Sequence, residues 1–441
     1  MPEALGASRG SRAQEAGVAV PAPVAQVAPA GSRPVLRPDR PLTVLITVPT
    51  LDLGAADEGA VGLAKILAEA GHRPIVAARG GRLAHLVAEQ GGEVVSLDTA
   101  TRNPAVIARN AVALRRLIVS RGCDVVHAHG RAPGWSAWLA ARTTGKPFLA
   151  TCHTGFRDQN LLKHWYNGVM ARGDVVIAAS ERIAELVAER HHVPPDRLAV
   201  IHPLLDLDGF DPAGIAPERV AVVRAAWGVR PATRVVLVPG RILRRHGQHV
   251  AVGAARRLKE SGISDVVFVL DGEDGGRSRY SGELWDLVLS SGTADIVRIT
   301  GPGTDAAASL AAASVVVCPS VQLEGIFRPL AEAMAMARPV IASDLAAGPD
   351  LVPVLSASEE DRATALRCRA GDDAALAAAL VRVLALPEPL RHAMGQRARA
   401  RVLGAFDRAR TVEQTLAAYA RVTAGASAGS AGRPPAAGMP S

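Results

Sequence analysis

The feature that most constrains this chain is a repeated alternation. Short apolar runs rich in β-branched residues recur at 43–49, 74–78, 93–97, 124–129, 148–153, 174–180 and 198–203. A second set follows at 234–240, 265–271, 296–301, 315–320 and 339–344. Stretches of helical period separate them, among them 59–70, 104–120, 181–190, 248–261 and 329–336. The runs are apolar at nearly every position. Strands of that kind are buried on both faces, in parallel sheets covered by helices. Twelve of them would make an unusually wide single sheet, so the pattern predicts an α/β protein with two doubly wound parallel-sheet domains.

The stretch 204–217 is rich in Asp, Gly and Pro and breaks the alternation, which places the boundary there. The expected organisation is a disordered leader over 1–40, domains over 41–210 and 211–389, a C-terminal helix over 390–424 packing back on the first domain, and a loose tail over 425–441. Both ends are rich in Ala, Gly and Pro without periodicity. At 441 residues with 49% hydrophobic content, the chain can bury two cores. No run of 18 apolar residues exists to span a membrane, and no signal peptide is expected. The four cysteines lie far apart, without metal-ligand spacing or a disulfide framework, so a reduced, cytoplasmic setting is expected.

Open α/β sheets bind ligands beyond the carboxyl ends of their strands. The turn after the first strand, with Gly54 and Gly59, is neither GxGxxG nor GxxxxGK[ST], which argues against a dinucleotide or Walker site. The turn either presents N–H groups to an anion or simply joins strand to helix. The sharpest constellation is Glu324-Gly325-Ile326-Phe327-Arg328-Pro329-Leu330-Ala331-Glu332. It follows a buried strand and opens a helix, with Pro329 suited to the first helical position. Two carboxylates, Glu324 and Glu332, would then flank a helix N-terminus that favours a phosphate. They can accept hydrogen bonds from sugar and ribose hydroxyls, or they can be a helix-start glutamate and a solvated one.

This stretch resembles the E-x7-E motif of the retaining GT-B glycosyltransferases of family 4, the glycosyl transferases group 1. The likeness runs through residues 43–422. Gly240-Arg241-Ile242-Leu243-Arg244-Arg245-His246-Gly247 resembles the family segment G-R-L-x-x-x-K-G, and Asp271-Gly272-Glu273-Asp274 resembles its acidic turn after the next strand. In the first half, Asp124-Val125-Val126-His127-Ala128-His129 and Thr151-Cys152-His153 resemble further family segments. The resemblance implies a GT-B fold, with an acceptor-side first domain and a second domain that binds a nucleotide-diphosphate sugar. It implies that Glu332 holds the ribose, Glu324 the donor sugar and Arg241 the diphosphate. It further implies that main-chain groups from Ile326 to Arg328 touch phosphate and that His153 faces the donor sugar. No metal or other cofactor is expected.

Several positions depart from the family pattern. The lysine is His246, for which a diphosphate neighbour would raise the proton affinity. A glycine is replaced by Phe327, whose bulk replaces a close backbone approach, and Asp57-Glu58 follow the first turn, where they would repel phosphate. Catalysis is therefore assigned to Arg241, Glu324, His153 and His246, and donor binding to Glu332, Phe327, Arg328 and Gly54. The alternative is a catalytically degenerate relative that binds a sugar, a lipid or a protein.

Charge is uneven. The chain carries 50 Lys+Arg against 42 Asp+Glu, and from 99 to 157 Asp124 is the sole acid among nine basic residues. Arg109, Arg115 and Arg116 lie on the helix predicted at 104–120, which could rest on an anionic membrane or be a solvated face. Arg131 and Trp135, with His127 and His129, either line an acceptor pocket or pack the loop. A saccharide or lipid-linked acceptor is implied, and the stretches around Trp135 and at 166–174 resemble enzymes of lipopolysaccharide or other surface-glycan assembly. With 3% aromatic residues there is no base-stacking pattern, so nucleic acid is not an expected partner.

Overall fold

The computed structural model describes residues 40–52, 54–155, 160–263, 265–273, 279–301, 303, 305–348, 351–353 and 363–430, side chains of 425–430 excepted. The expected leader lies outside them except for Arg40, as does the tail from 431.

The first sheet contains β1 (Thr43–Thr47), β2 (Arg73–Ala78), β3 (Glu93–Ser96), β4 (Val125–His129), β5 (Phe148–Cys152), β6 (Val175–Ala178) and β7 (Leu198–Val200). Its order is β3-β2-β1-β4-β5-β6-β7, parallel throughout. The connecting helices are α1 (Ala55–Glu69), α2 (Ala84–Glu89), α3 (Pro104–Arg121), α4 (Arg131–Thr144), α5 (Leu161–Asn167) and α6 (Glu181–His191). The second sheet contains β8 (Arg234–Pro239), β9 (Val266–Asp271), β10 (Val297–Thr300), β11 (Val315–Cys318), β12 (Val340–Ser343) and β13 (Leu366–Cys368). It runs β10-β9-β8-β11-β12-β13, again parallel. Its helices are α7 (Pro217–Ala226), α8 (Gln248–Glu260), α9 (Arg279–Ser290), α10 (Ala306–Ala312), α11 (Arg328–Ala335) and α12 (Asp373–Ala385). The two doubly wound sheets are those the alternation predicts. The thirteenth strand, β13, is three residues long, too short to give a periodic signal.

Polar residues set several helix starts. Asn103, Ser180, Asp305 and Asp372 each accept a first-turn N–H at the heads of α3, α6, α10 and α12. α1 begins at Ala55, four residues before the predicted helix. Asp57 and Glu58 therefore belong to its first turn, where the helix dipole favours acids. Pro329 is the second residue of α11, not the first.

The single helix expected over 390–424 is two. α13 (Glu388–Ala405) places Ala398 and Val402 in the core of the second domain, beside Leu330 and Met334. The chain then breaks at Phe406-Asp407, and Asp407 accepts the Arg410 N–H as α14 (Arg408–Ser430) starts. α14 puts Ala418, Tyr419 and Val422 into the core of the first domain, with Val44, Ile46 and Leu67. It continues to Ser430, past the start of the expected tail. The linker residue Leu207 and Trp227 pack in the second core.

Tyr419 is fully buried, and its hydroxyl lies 2.7 Å from Nδ1 of His127 on β4. Tyr419→Ala should lose about 3–5 kcal/mol in urea unfolding through the cavity it leaves. Tyr419→Phe should lose about 1 kcal/mol through the hydrogen bond alone. Equal, small losses would show that α14 is not anchored by this residue.

Candidate active site

Both sheets reverse their strand order beside the first strand of each domain, between β1 and β4 and between β8 and β11. The carboxyl ends there face one cleft. A cavity of about 340 Å³ occupies it, within the range of small-molecule sites. Gly54, Glu58, Gly59 and His153 line it from the first domain. From the second come Arg241, Arg245, His246, Glu324, Phe327 and Arg328.

The two sides are joined through the main chain. Thr154, just beyond β5, forms an antiparallel bridge with Glu324, and the Gly155 N–H donates to Leu323 O at 3.3 Å. A Cβ at Gly325 would lie 1.9 Å from the His153 carbonyl oxygen, so only glycine admits this approach. On the other flank, a Cβ at Gly59 would lie 2.3 Å from Cε1 of the His153 ring. The imidazole therefore rests against a bare patch of α1. Its Nε2 lies 2.9 Å from Nδ1 of His129, and burial pushes the proton affinity of His153 down to about 4. The ring is neutral at physiological pH.

Glu324 is 5% exposed, and burial raises its pKa. Its Oε1 has no hydrogen-bond partner among the described residues. Nearest are Nε of Arg245 at 3.9 Å and Nε2 of His246 at 3.8 Å. A buried carboxylate oxygen left in this way is poised to accept from a ligand. His246 does not supply charge here. Its Nδ1–H donates to the Arg241 carbonyl at 2.7 Å, its ring lies edge-on to Phe327 at 5.1 Å, and burial lowers its pKa to about 4. Arg245, 40% exposed and facing Glu324, is the cation at this point. Phe327 precedes α11, and its buried ring packs in the second core with Leu330 while also bordering the cavity.

Both acids in the first turn of α1 are engaged within the protein. Asp57 turns inward, accepts the Thr50 hydroxyl at 3.0 Å and, through burial, titrates near 6. Glu58 accepts from Arg328 at 3.1 Å, and Arg328 also donates to Glu332 at 2.7 Å. One guanidinium thus ties a carboxylate of each domain together. Burial raises the pKa of Glu332 although Arg328 opposes it. The first turn of α11 has no side-chain cap, so its leading amides remain oriented for an anion. Gly54 is the N-cap of α1 at the facing edge. Among the described residues no group of His, Cys, Asp and Glu has the geometry to hold a metal ion.

Residues 59–208 match the family described as Glycosyltransferase Family 4, and residues 233–385 match Glycosyl transferases group 1. A D-inositol 3-phosphate glycosyltransferase of Actinosynnema mirum is 30% identical over 314 residues, 67% of this chain and 72% of that protein. This chain belongs to the family 4, group 1 glycosyltransferases. Solved structures share its fold. A glycosyltransferase from Rickettsia africae superposes with a TM-score of 0.75 at 24% identity, over 87% of this chain and 98% of that one. Anabaena HepE, solved in complex with UDP-glucose, superposes at 0.71 with 18% identity, over 85% and 98%.

In this glycosyltransferase the residues expected to meet the acceptor are dispersed. His127 and His129 end β4 and are buried; His127 bridges Thr151, at 2.7 Å, and Tyr419. Arg131 donates to Asn167 at 3.3 Å. Trp135 is 7% exposed, donates to the Tyr166 carbonyl and stacks on Trp165, so it packs α4 against α5 and does not line the cleft cavity. Arg109, Arg115 and Arg116 are exposed along α3, away from the cavity. Three participants carried no sequence signal beyond their type: Gly59, the Glu58–Arg328 pairing and the inward turn of Asp57.

His246 yields a pH test. With an ordinary pKa near 6.5 when unfolded and about 4 when folded, the unfolded chain takes up the proton first on acidification. Stability is then lost as pH falls from 7 to 5, by about 2 kcal/mol through this group. Unfolding free energies at the two pH values should differ less in His246→Asn than in the parent; identical slopes would contradict a neutral, buried imidazole.

Proposed function

We propose that this glycosyltransferase moves a hexosyl group, with retention of configuration, from a nucleotide-diphosphate sugar to a saccharide or lipid-linked acceptor. The supporting observation is that three arginines, Arg241, Arg245 and Arg328, line one cavity with Glu324, whose buried Oε1 has no hydrogen-bond partner among the described residues. Cations suit a diphosphate and the carboxylate suits sugar hydroxyls. Arg241 and Arg245 neutralise the diphosphate, Glu324 orients the donor sugar beside His153, and Glu332 holds the ribose once Arg328 turns to phosphate. The bond from sugar C1 to the diphosphate oxygen breaks with its electron pair on the diphosphate, and the acceptor oxygen bonds to C1. His153, neutral with a pKa near 4, is a weak base, so the departing diphosphate takes the acceptor proton. Three guanidiniums and the α11 N-terminus carry the developing charge, and the scheme needs no metal.

The acceptor reading is a building block of surface polysaccharide or lipopolysaccharide. Relatives named for D-inositol 3-phosphate make a phosphorylated cyclitol a second acceptor to assay. The exposed arginines of α3, Arg109, Arg115 and Arg116, suit approach to an anionic surface at the inner face of the cytoplasmic membrane.

A panel of UDP-, GDP- and ADP-sugars tests the reading, with product configuration read by NMR. Consumption of one donor with retention is expected. Nucleotide binding without sugar release at millimolar donor would leave a binding module instead. Within the active case, Glu332→Ala should raise the donor KM roughly tenfold. Arg241→Ala and Arg245→Ala should each lower kcat by about a hundredfold, as expected for groups that stabilise developing charge. Unchanged kinetics in all three would reject the assignment.

A further inference from the structure

One apolar surface is left unexplained by the cleft. α5 exposes Leu161 at 88%, Leu162 at 73% and Trp165 at 55%. α5 belongs to the connection between β5 and β6 that also carries His153. The helix is braced. Trp165 stacks on Trp135 at 4.3 Å and 26°. The guanidinium of Arg172 covers Trp135 and Trp138 at 5.1 and 4.5 Å. Trp135 is held in turn by the Tyr166 carbonyl, at 3.1 Å.

The helices that surround α5 are biased to positive charge. α3, α4, α5 and the turn Gly168–Arg172 contain no Asp or Glu. Exposed cations flank the apolar side chains: Lys163 within α5, Arg172 against its aromatic support and Arg102 before α3, close enough to act on Tyr166. A short element with two exposed leucines and a half-exposed tryptophan, flanked by cations, matches the interface of an anionic bilayer. Two copies of the same surface would bring like charges together, which disfavours self-association through it.

We propose that α5 docks this protein on an anionic phospholipid bilayer, with Leu161, Leu162 and Trp165 entering the interface and Lys163, Arg102 and Arg172 meeting the headgroups. The apolar contact is distinct from the basic face of α3. Only its purpose, presenting the cleft to a lipid-linked acceptor, rests on the function proposed above.

Flotation with vesicles of phosphatidylcholine alone or mixed equally with phosphatidylglycerol tests this with the full chain. The parent should float with the anionic vesicles and little with the neutral ones. The exposed pair Leu161→Asn/Leu162→Asn should reduce binding roughly tenfold or more, as loss of an inserted apolar anchor does. Brominated acyl chains should quench the parent's fluorescence more than that of Trp165→Phe. Parent protein left in the soluble fraction, or equal flotation of the double variant, would overturn the proposal. So would a concentration-dependent dimer that the double variant abolishes. Donor hydrolysis should be equal in parent and double variant. Bilayer binding without any donor consumption would end the proposed function and leave the docking surface intact.

Discussion

The site depends on a main-chain contact between domains. His153 follows a strand of the first sheet and Glu324 follows a strand of the second, yet Thr154 and Glu324 form an antiparallel bridge. The contact is possible because residue 325 has no side chain to meet the His153 carbonyl. Backbone hydrogen bonds are directional and short, so they fix spacing more tightly than side-chain packing across a cleft would. The buried carboxylate and the neutral imidazole thereby hold their places on either side of the cavity without contacting each other.

Electrostatics acts within that frame. The cleft is partly dry, so each ionisable group is shifted according to its burial and partners. His129, His153 and His246 are driven towards the neutral form. The imidazoles therefore add little positive charge to the site at neutral pH. Glu58, Arg328 and Glu332 form the adjustable part. Their ion pairs are partly solvated and of modest strength, so an incoming anion can compete for Arg328 at moderate cost and release Glu332.

Much of this was legible in the sequence. Uninterrupted Val- and Ile-rich runs are sufficient to announce a buried parallel strand, which is why the two sheets could be anticipated. Glu324, Arg241, His153, His246 and Glu332 were found through the motif stretches, and all but Glu332 line the cavity directly. What could not be read was direction. Phe327 looked like an obstruction because its residue type is visible and its rotamer is not. The burial of Asp57 and the partner of Glu58, 270 positions away, exist only after folding. Trp135 looked like a pocket residue because an aromatic near a strand end serves packing and binding equally well. The break at Phe406-Asp407 interrupts a stretch whose helical period continues on both sides.

That break has a consequence for how the protein can be divided. The polypeptide passes between the domains once through the linker near Leu207 and again between α13 and α14. Tyr419, which completes the first core, lies 292 positions from its partner His127. During vectorial synthesis the first domain must therefore wait, with part of its core open, until the second has emerged. For the same reason no single cut separates the protein into two self-sufficient halves. An isolated first domain would need α14 grafted onto it, and an isolated second domain would have to relinquish it.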